Sequence, residues 1–143
     1  MEPVTGCIAC VFFMLSVPAM AANLELTLDA TAGGPGKFAA EEIRREAVAH
    51  GMTLGDDANA TRIALTVGNA GGAAAQSCSI RVQSANGRRT FTVRGADAAG
   101  AMYGGLDVAE AIRTGVPDSL KDSDHTPHIA QRGIKFSIPL DTA

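Results

Sequence analysis

Four segments of the chain alternate apolar and polar residues with a period of two, which is typical of half-buried β-strands. They cover residues 24–28, 62–67, 78–82 and 91–93. Each would place its apolar side chains on one side of a sheet and its polar side chains on the other. The pattern therefore predicts four strands that share a single apolar face.

The last two strands are joined by a strong turn signal, the dipeptide Asn86-Gly87. Asn-Gly favours a two-residue hairpin turn because both residues tolerate positive φ. Such a turn aligns Val82 with Phe91, which puts every apolar side chain of the pair on the same face. The sequence therefore predicts both the hairpin and its register.

Residues 38–50 show the period of an amphipathic helix. Glu41 is expected to pair with Arg45 one turn later, and Gly51 is the natural residue to end the helix. The preceding glycine-rich stretch, residues 31–36, is predicted to be a turn. The buried side of the helix is predicted to carry Ala39, Ile43 and Ala47.

A second helix is predicted after Asp97, whose carboxylate can accept hydrogen bonds from the free N–H groups of the first turn. Its buried stripe is predicted to be Met102, Leu106, Ala109 and Ile112. Gly104 and Gly105 lie inside it, although each glycine destabilises a helix by about 1 kcal/mol relative to alanine. We therefore expect the helix backbone to approach the sheet closely at this point.

The order strand, helix, strand, strand, strand, helix predicts an α+β fold, a four-stranded mixed sheet with both helices on one face. The opposite face would carry polar side chains and meet water or a neighbouring domain. Its predicted members are Glu25, Thr27, Arg62, Thr66, Arg81, Gln83, Thr92 and Arg94.

The N-terminus has the pattern of an export signal. An apolar run at residues 7–15, too short to cross a bilayer as a helix, precedes Ala19-Met20-Ala21, a small-x-small cleavage pattern. The pattern predicts a signal peptide over residues 1–21, cleaved before Ala22, and a periplasmic or extracellular product with no membrane association after cleavage. The leader carries Glu2 and no basic residue, so a buried N-terminal strand or helix stays an alternative.

The amino-acid composition argues against several classes of binding partner and site. The chain has 12 basic and 15 acidic residues, a net charge of −3, one Tyr and no Trp. The absence of a basic run and of stacking rings argues against nucleic-acid binding, and the shortage of aromatic rings also argues against a sugar-binding platform. Of the three cysteines, Cys7 and Cys10 lie in the leader, so no intrachain disulfide would remain.

Two motifs resemble ligand sites only in part. Residues 33–37 read Gly-Gly-Pro-Gly-Lys, but a phosphate-binding loop needs a glycine at position 31 and a hydroxyl residue after Lys37. A flexible turn is the preferred interpretation. Residues 124–128 read Asp-His-Thr-Pro-His, where Pro127 prevents a helix that would bring both imidazoles to one side. A solvated linker is preferred over a metal site, and no metal or cofactor is predicted.

No catalytic group is assigned from the residues. Glycoside hydrolysis needs two carboxyl groups on either side of a cleft, and the carboxylates of the predicted helices lie on their solvated faces. Cys78 falls on the apolar face of its strand and is interpreted as a small core residue. A Ser-His-acid arrangement lacks a nucleophile motif.

Three short segments resemble a known family. They are residues 37–46, Lys-Phe-Ala-Ala-Glu-Glu-Ile-Arg-Arg-Glu, residues 101–106, Ala-Met-Tyr-Gly-Gly-Leu, and residues 132–134, Arg-Gly-Ile. Together they resemble the small non-catalytic α+β domain that precedes the catalytic barrel in β-hexosaminidase-like and α-glucuronidase-like glycoside hydrolases. The resemblance spans residues 24–143.

The resemblance implies a division into three parts: the signal peptide, an accessory domain at residues 22–116, and at residues 117–143 a linker followed by the first strand of a (β/α)8 barrel that this chain lacks. The barrel would then be the partner, and carbohydrate would bind through it. Asp141, beyond Arg132-Gly133, is the candidate substrate-binding residue, either as a pocket residue or as an ordinary loop residue.

The sequence thus predicts an accessory domain of an exported glycoside hydrolase, inactive on its own and acting as a scaffold for the barrel. A stand-alone periplasmic binding or interaction module that uses the exposed sheet face is the alternative. A small enzyme is the third hypothesis.

Overall fold

A computed structural model describes residues 23–68 and 74–128. They form one six-stranded sheet and two α-helices, with two short 3₁₀ turns. The elements are β1 (Asn23–Leu28), α1 (Gly33–Ala49), β2 (Thr53–Leu54), β3 (Thr61–Val67), β4 (Cys78–Ala85), β5 (Arg88–Gly95), α2 (Ala98–Arg113) and β6 (Ser123–His125); the 3₁₀ turns are Ala30–Ala32 and Pro117–Ser119.

The strand order in the sheet is β2-β1-β3-β5-β4-β6. β2, β1, β3 and β5 pair in parallel, whereas β4 runs antiparallel to both of its neighbours, β5 and β6. The fold is therefore α+β with a mixed sheet, as the sequence predicts. Four of the strands are the predicted ones, and β2 and β6 are short additions at the two edges.

The core lies between one face of the sheet and both helices. Alternate residues of the central strands point to this side and are almost fully buried, Phe91 at 2% and Ile63 and Val93 at 0% exposure. The predicted helix residues Ala39, Ile43 and Ala47 are all buried against them. The opposite side of the sheet carries the polar residues that alternate with these buried ones, and we call it the open face.

The first helix starts earlier than predicted. Asp29 caps the turn Ala30–Ala32 by accepting a hydrogen bond from the Thr31 N–H, and α1 follows directly at Gly33. Pro35 fits within the first helical turn because N–H groups there have no partner inside the helix. Gly51 has a φ of 74°, which suits the predicted helix end.

One predicted ion pair is replaced by others. Arg45 does not pair with Glu41 but contacts Glu42 and Glu46. Glu42 and Glu41 lie three and four positions before Arg45, and both spacings make neighbours on a helix surface, so the spacing alone did not select between them.

The predicted hairpin is confirmed. β4 and β5 pair so that Val82 lies opposite Phe91, with Asn86 and Gly87 in the turn at φ values of 52° and 76°. Two consecutive positive φ angles are the mark of a type I′ turn, whose twist matches that of the flanking strands.

In α2 the Asp97 cap is confirmed, since its carboxylate accepts a hydrogen bond from the Gly100 N–H. The close approach is also confirmed: a Cβ added to Gly104 would lie 2.6 Å from the Val93 side chain. The buried stripe differs from the prediction, because Met102 and Leu106 are only partly buried. The glycines occupy the middle of the buried face instead, and the buried α2 residues are Gly100, Ala101, Gly104, Gly105, Val108, Ala109, Ala111 and Ile112.

The stretch after α2 also differs. The predicted linker that begins at residue 117 contains the turn Pro117–Ser119 and the edge strand β6, which pairs with β4 over Ser123–His125. Backbone hydrogen bonds to β4 hold this strand in place, and its residues show no alternation of apolar and polar side chains. The predicted signal peptide, the Arg132-Gly133 segment and Asp141 lie outside the described residues.

Candidate functional site

A cleft of about 320 Å³ lies between α2 and the edge strand β6, on the helix side of the sheet. Its lining combines carboxylate, imidazole, phenol, amide, hydroxyl and thiol groups. The lining residues are Gln76, Cys78, Tyr103, Asp107, His125, Thr126, Pro127 and His128.

Strand pairing positions the imidazole of His125 in this cleft. β6 pairs with β4 in a register that sets His125 opposite Cys78, so both side chains point to the helix side. On the open face, Arg81 fixes β6 by donating to the Ser123 carbonyl at 2.9 Å and to the Asp124 carboxylate at 2.7 Å. The cleft wall is thus attached to the sheet by one arginine and a short ladder.

Asp107 and His125 face each other across the cleft, with Oδ2 and Nε2 separated by 3.9 Å. Partial burial raises the pKa of the Asp107 carboxyl, and the positive charge of protonated His125 opposes this rise. Both side chains remain about half exposed, at 52% and 56%, so the pair is a weak, solvent-screened contact.

Cys78 is a core residue, as predicted, with 6% exposure. Burial raises the pKa of its thiol, and the nearby charges of Asp107 and Asp124 add to the rise. A thiol with a raised pKa is a poor nucleophile because the thiolate is the reactive form. The cleft is therefore not built around an activated cysteine.

The histidine motif lies partly in the cleft. His125 and His128 both line it, and Asp124 is turned to the open face by its pairing with Arg81. Residues 23–68 and 74–128 contain no group of three or more His, Cys, Asp or Glu side chains placed to hold a metal ion. Hydrogen bonding to a polar ligand is the chemistry that this lining offers.

The glycine-rich segment before α1 packs against its own neighbours. A Cβ on Gly36 would lie 2.3 Å from the Ala32 Cβ and 3.1 Å from a methyl group of Leu28. Glycine is therefore required here for packing of the helix start. The predicted flexible turn over residues 33–36 is wrong, because these residues form the first turn of α1.

The open face is the second candidate surface. The strand registers place its side chains in three rows that cross the sheet. The rows are Glu25, Arg62, Thr90 and Gln83; then Thr27, Ala64, Thr92 and Arg81; then Thr66, Arg94, Ser79 and Asp124.

Glu25 is the centre of an ion-pair cluster on this face. Arg62 donates from Nε at 3.0 Å and from Nη2 at 2.8 Å to the same oxygen, Oε2. Arg88 also donates from Nη2 to that oxygen, and its Nε donates to the Ala60 carbonyl at 3.1 Å. Two guanidinium groups therefore share one carboxylate.

The sequence predicted most members of the open face but missed Arg88 and the shared acceptor. Arg88 follows the turn glycine and precedes the alternating run, so the strand pattern did not include it. Its contact with Glu25 depends on β3 lying between β1 and β5. The alternation of apolar and polar residues within each strand does not predict this order of the strands. Within residues 23–68 and 74–128, no helix is long and apolar enough to span a membrane.

No protein-family model matches the sequence, and no curated protein matches it. Among solved structures, a GH138 enzyme described as targeting pectin rhamnogalacturonan II matches with a TM-score of 0.56 at 14% identity, covering 71% of this chain and 15% of that one. A second structure, that of CpGH84D, matches with a TM-score of 0.49 at 10% identity, over 72% of this chain and 19% of that one.

These structural neighbours are glycoside hydrolases, and the likeness to the GH138 enzyme shows that the two share a fold. The chain spans less than one fifth of the length of either neighbour. The fold shared with the GH138 enzyme is thus a small part of that larger protein.

Proposed function

We propose that this chain is the non-catalytic accessory domain of an exported glycoside hydrolase that degrades carbohydrate, and that it acts as a scaffold for a catalytic barrel. The observation that carries the proposal is the fold match to the GH138 enzyme, which covers 71% of this chain but only 15% of that protein. An accessory domain is a small part of a protein whose larger part is catalytic, and these coverages agree with that arrangement.

The sequence segments and the fold support the same proposal from different directions. The Ala-Met-Tyr-Gly-Gly-Leu segment that resembles the family's second helix lies in α2, where Gly104 and Gly105 contact the sheet and the other helix. The resemblance therefore rests on residues with a packing role in this fold. A tightly packed two-layer unit is suited to supporting a neighbouring domain.

A scaffold role also fits the placement of the carboxylates. Hydrolysis of a glycosidic bond needs two carboxyl groups about 5 to 9 Å apart across a cleft. In the cleft beside β6, Asp107 is the only carboxylate among the described lining residues. Elsewhere in the described ranges, six carboxylates are held in ion pairs with arginines, those of Glu25, Glu42, Glu46, Glu110, Asp118 and Asp124.

The proposal includes export through cleavage of residues 1–21, which is supported by the sequence pattern of the leader. It also includes Asp141 as a pocket residue of the barrel, which is supported by the family resemblance.

The DNA that follows the codon for Ala143 tests the proposal. An open frame that continues for about 250 residues or more of alternating strand and helix is the expected result, since that is the size of a (β/α)8 barrel. A frame that continues into an unrelated, non-barrel domain would contradict the scaffold role.

The second candidate is a stand-alone binding module that uses the open face. The observation that favours it is Arg94, an exposed guanidinium that forms no ion pair with any residue in the ranges 23–68 and 74–128. A stop codon directly after Ala143 in the natural gene would favour this candidate over the scaffold.

A further inference from the structure

The open face carries an excess of positive charge on a chain that is acidic overall. The net charge of the chain is −3, yet the three rows of this face hold three arginines, Arg62, Arg81 and Arg94, against two carboxylates, Glu25 and Asp124. Arg88, beside the first row, adds a fourth guanidinium through its contact with Glu25. We propose that this face binds a carboxylate-bearing polysaccharide, a polyuronate.

Two of the arginines stand at opposite ends of the face, and Arg81 lies in the middle row, where it is paired with Asp124. Arg62 belongs to the first row and Arg94 to the third, where it pairs with Thr66. Positions 62 and 66 are four residues apart on β3, so the two rows are roughly 13 Å apart along the strand direction. An extended polymer with repeated carboxylates can contact both ends together, whereas a single small anion cannot.

The first end has unused hydrogen-bond donors. The contacts of Arg62 and Arg88 with Glu25 occupy their Nε and Nη2 atoms and converge on one carboxylate oxygen. Within the described residues, Nη1 of each arginine forms no hydrogen bond. Two guanidinium groups on one carboxylate leave a net positive charge, and a second carboxylate is the acceptor that guanidinium geometry fits best.

The floor between the two ends, which is the middle row, is rich in hydroxyl groups. Thr27 and Thr92 flank Ala64 there, and Arg81 ends the row on β4. Thr90 and Gln83 continue the first row. Hydroxyl and amide groups can both donate to and accept from the hydroxyl groups of a sugar.

The same floor disfavours other polyanions. Protein interfaces concentrate their binding energy on buried aromatic and large apolar side chains, and the three rows contain none. Single-stranded nucleic acid is bound by stacking bases on aromatic rings, which the rows also lack. The rows also lack the aromatic rings of a stacking sugar platform, so a hydrophilic polymer would be held here through its carboxylates and hydroxyl groups. The inference requires that the open face meets water and is not covered by a neighbouring domain.

Binding of the full chain to polygalacturonate, measured by calorimetry at low salt, tests the inference. We expect binding that weakens as ionic strength rises to 0.15 M, because exposed charges are then screened beyond about 8 Å. Fully methyl-esterified polygalacturonate has the same backbone without the charges and should not bind. Equal binding of the esterified polymer, or no binding of the acidic one, would overturn the inference.

Arg94→Gln is the informative variant because Arg94 is exposed and unpaired within the described residues, so its loss should leave the fold intact. We expect a fall in affinity of about threefold or more. Arg113→Gln, at the end of α2 on the other side of the molecule, removes the same charge and serves as the control that should keep full affinity. Equal losses in both variants would show that only net charge matters and would contradict a site on the open face.

Polyglutamate separates the polysaccharide from an acidic protein. It carries carboxylates on a peptide backbone without sugar hydroxyl groups, and we expect it to bind more weakly than polygalacturonate at equal charge. Polyglutamate binding that is as tight and as dependent on Arg94 would assign the face to an acidic protein partner instead.

Discussion

Gly105 of α2 lies directly against Ala39 of α1: a Cβ added to Gly105 would come within 2.8 Å of the Ala39 Cβ. The same added atom would lie 3.3 Å from a methyl group of Leu65 on β3. One glycine therefore sets the distance between the two helices and between α2 and the sheet. This close packing explains why a residue of low helix propensity occupies the position.

Replacing Gly105 with Leu should destabilise the domain by about 1 to 3 kcal/mol, because the added side chain has no space between the helices. Urea denaturation measures the change. Gly34→Ala is a matched control in α1, since a Cβ at Gly34 meets nothing within 4 Å, and it should leave the stability unchanged or raise it slightly. Stabilisation by the leucine would show that the helices are not in close contact.

Gly87→Val should reduce the free energy of unfolding by more than about 1 kcal/mol. Gly87 has a φ of 76° in the hairpin turn, and a β-branched residue is strained there. Gly87→Asn is the comparison, because asparagine tolerates left-handed backbone, and it should lie closer to the original protein. Equal denaturation midpoints for all three proteins would contradict the turn geometry.

The β4–β5 hairpin could be predicted from sequence because its signals are local. A two-residue turn fixes which residues face each other, and Ile80 and Val93 then have to share the buried face. β2 and β6 could not be predicted because Thr53–Leu54 and Ser123–His125 have no apolar alternation. They are held by main-chain pairing at the sheet edges, which leaves no pattern in the side chains.

The candidate surfaces were predictable only in part. The polar residues that alternate along the strands predicted most members of the open face. They did not predict that Arg88 contacts Glu25 across β3, because the two residues are 63 positions apart in the sequence. The cleft depends on β6 bringing His125 to Asp107 of α2. The histidine motif was visible in the sequence, whereas its partner on the helix was not.

Asp107 should make the stability depend on pH. Its pKa in the folded protein is raised above the ordinary value of 3.8 by burial, so the folded state binds the proton more tightly than the unfolded state does. Stability therefore falls as pH rises from about 3.8 through the raised pKa and stays lower above it.

Asp107→Asn should thus be more stable than the original protein at pH 7, by less than about 1 kcal/mol because the side chain is half exposed. The difference should disappear below the unfolded pKa. Denaturation midpoints at pH 7 and pH 3 measure this. A variant that is less stable at pH 7 would show that the ionised carboxylate is stabilising.

Export should remove the first 21 residues. Expressed in a host with a secretion pathway, the protein should be recovered outside the cytoplasm with Ala22 as its first residue, because Ala19-Met20-Ala21 matches the small-x-small cleavage pattern. N-terminal sequencing provides the measurement. Ala21→Leu should block cleavage, and cytoplasmic protein that retains Met1 would refute the export proposal.

The central claim is that this chain supports catalysis without performing it, and a glycosidase assay on the purified chain tests that claim most directly. Aryl N-acetylglucosaminide, glucuronide and glucoside substrates should all be hydrolysed at the background rate, because Asp107 has no second carboxylate among the described residues of its cleft. Turnover above background that is lost in Asp107→Asn would contradict the account and identify the cleft beside β6 as an active site.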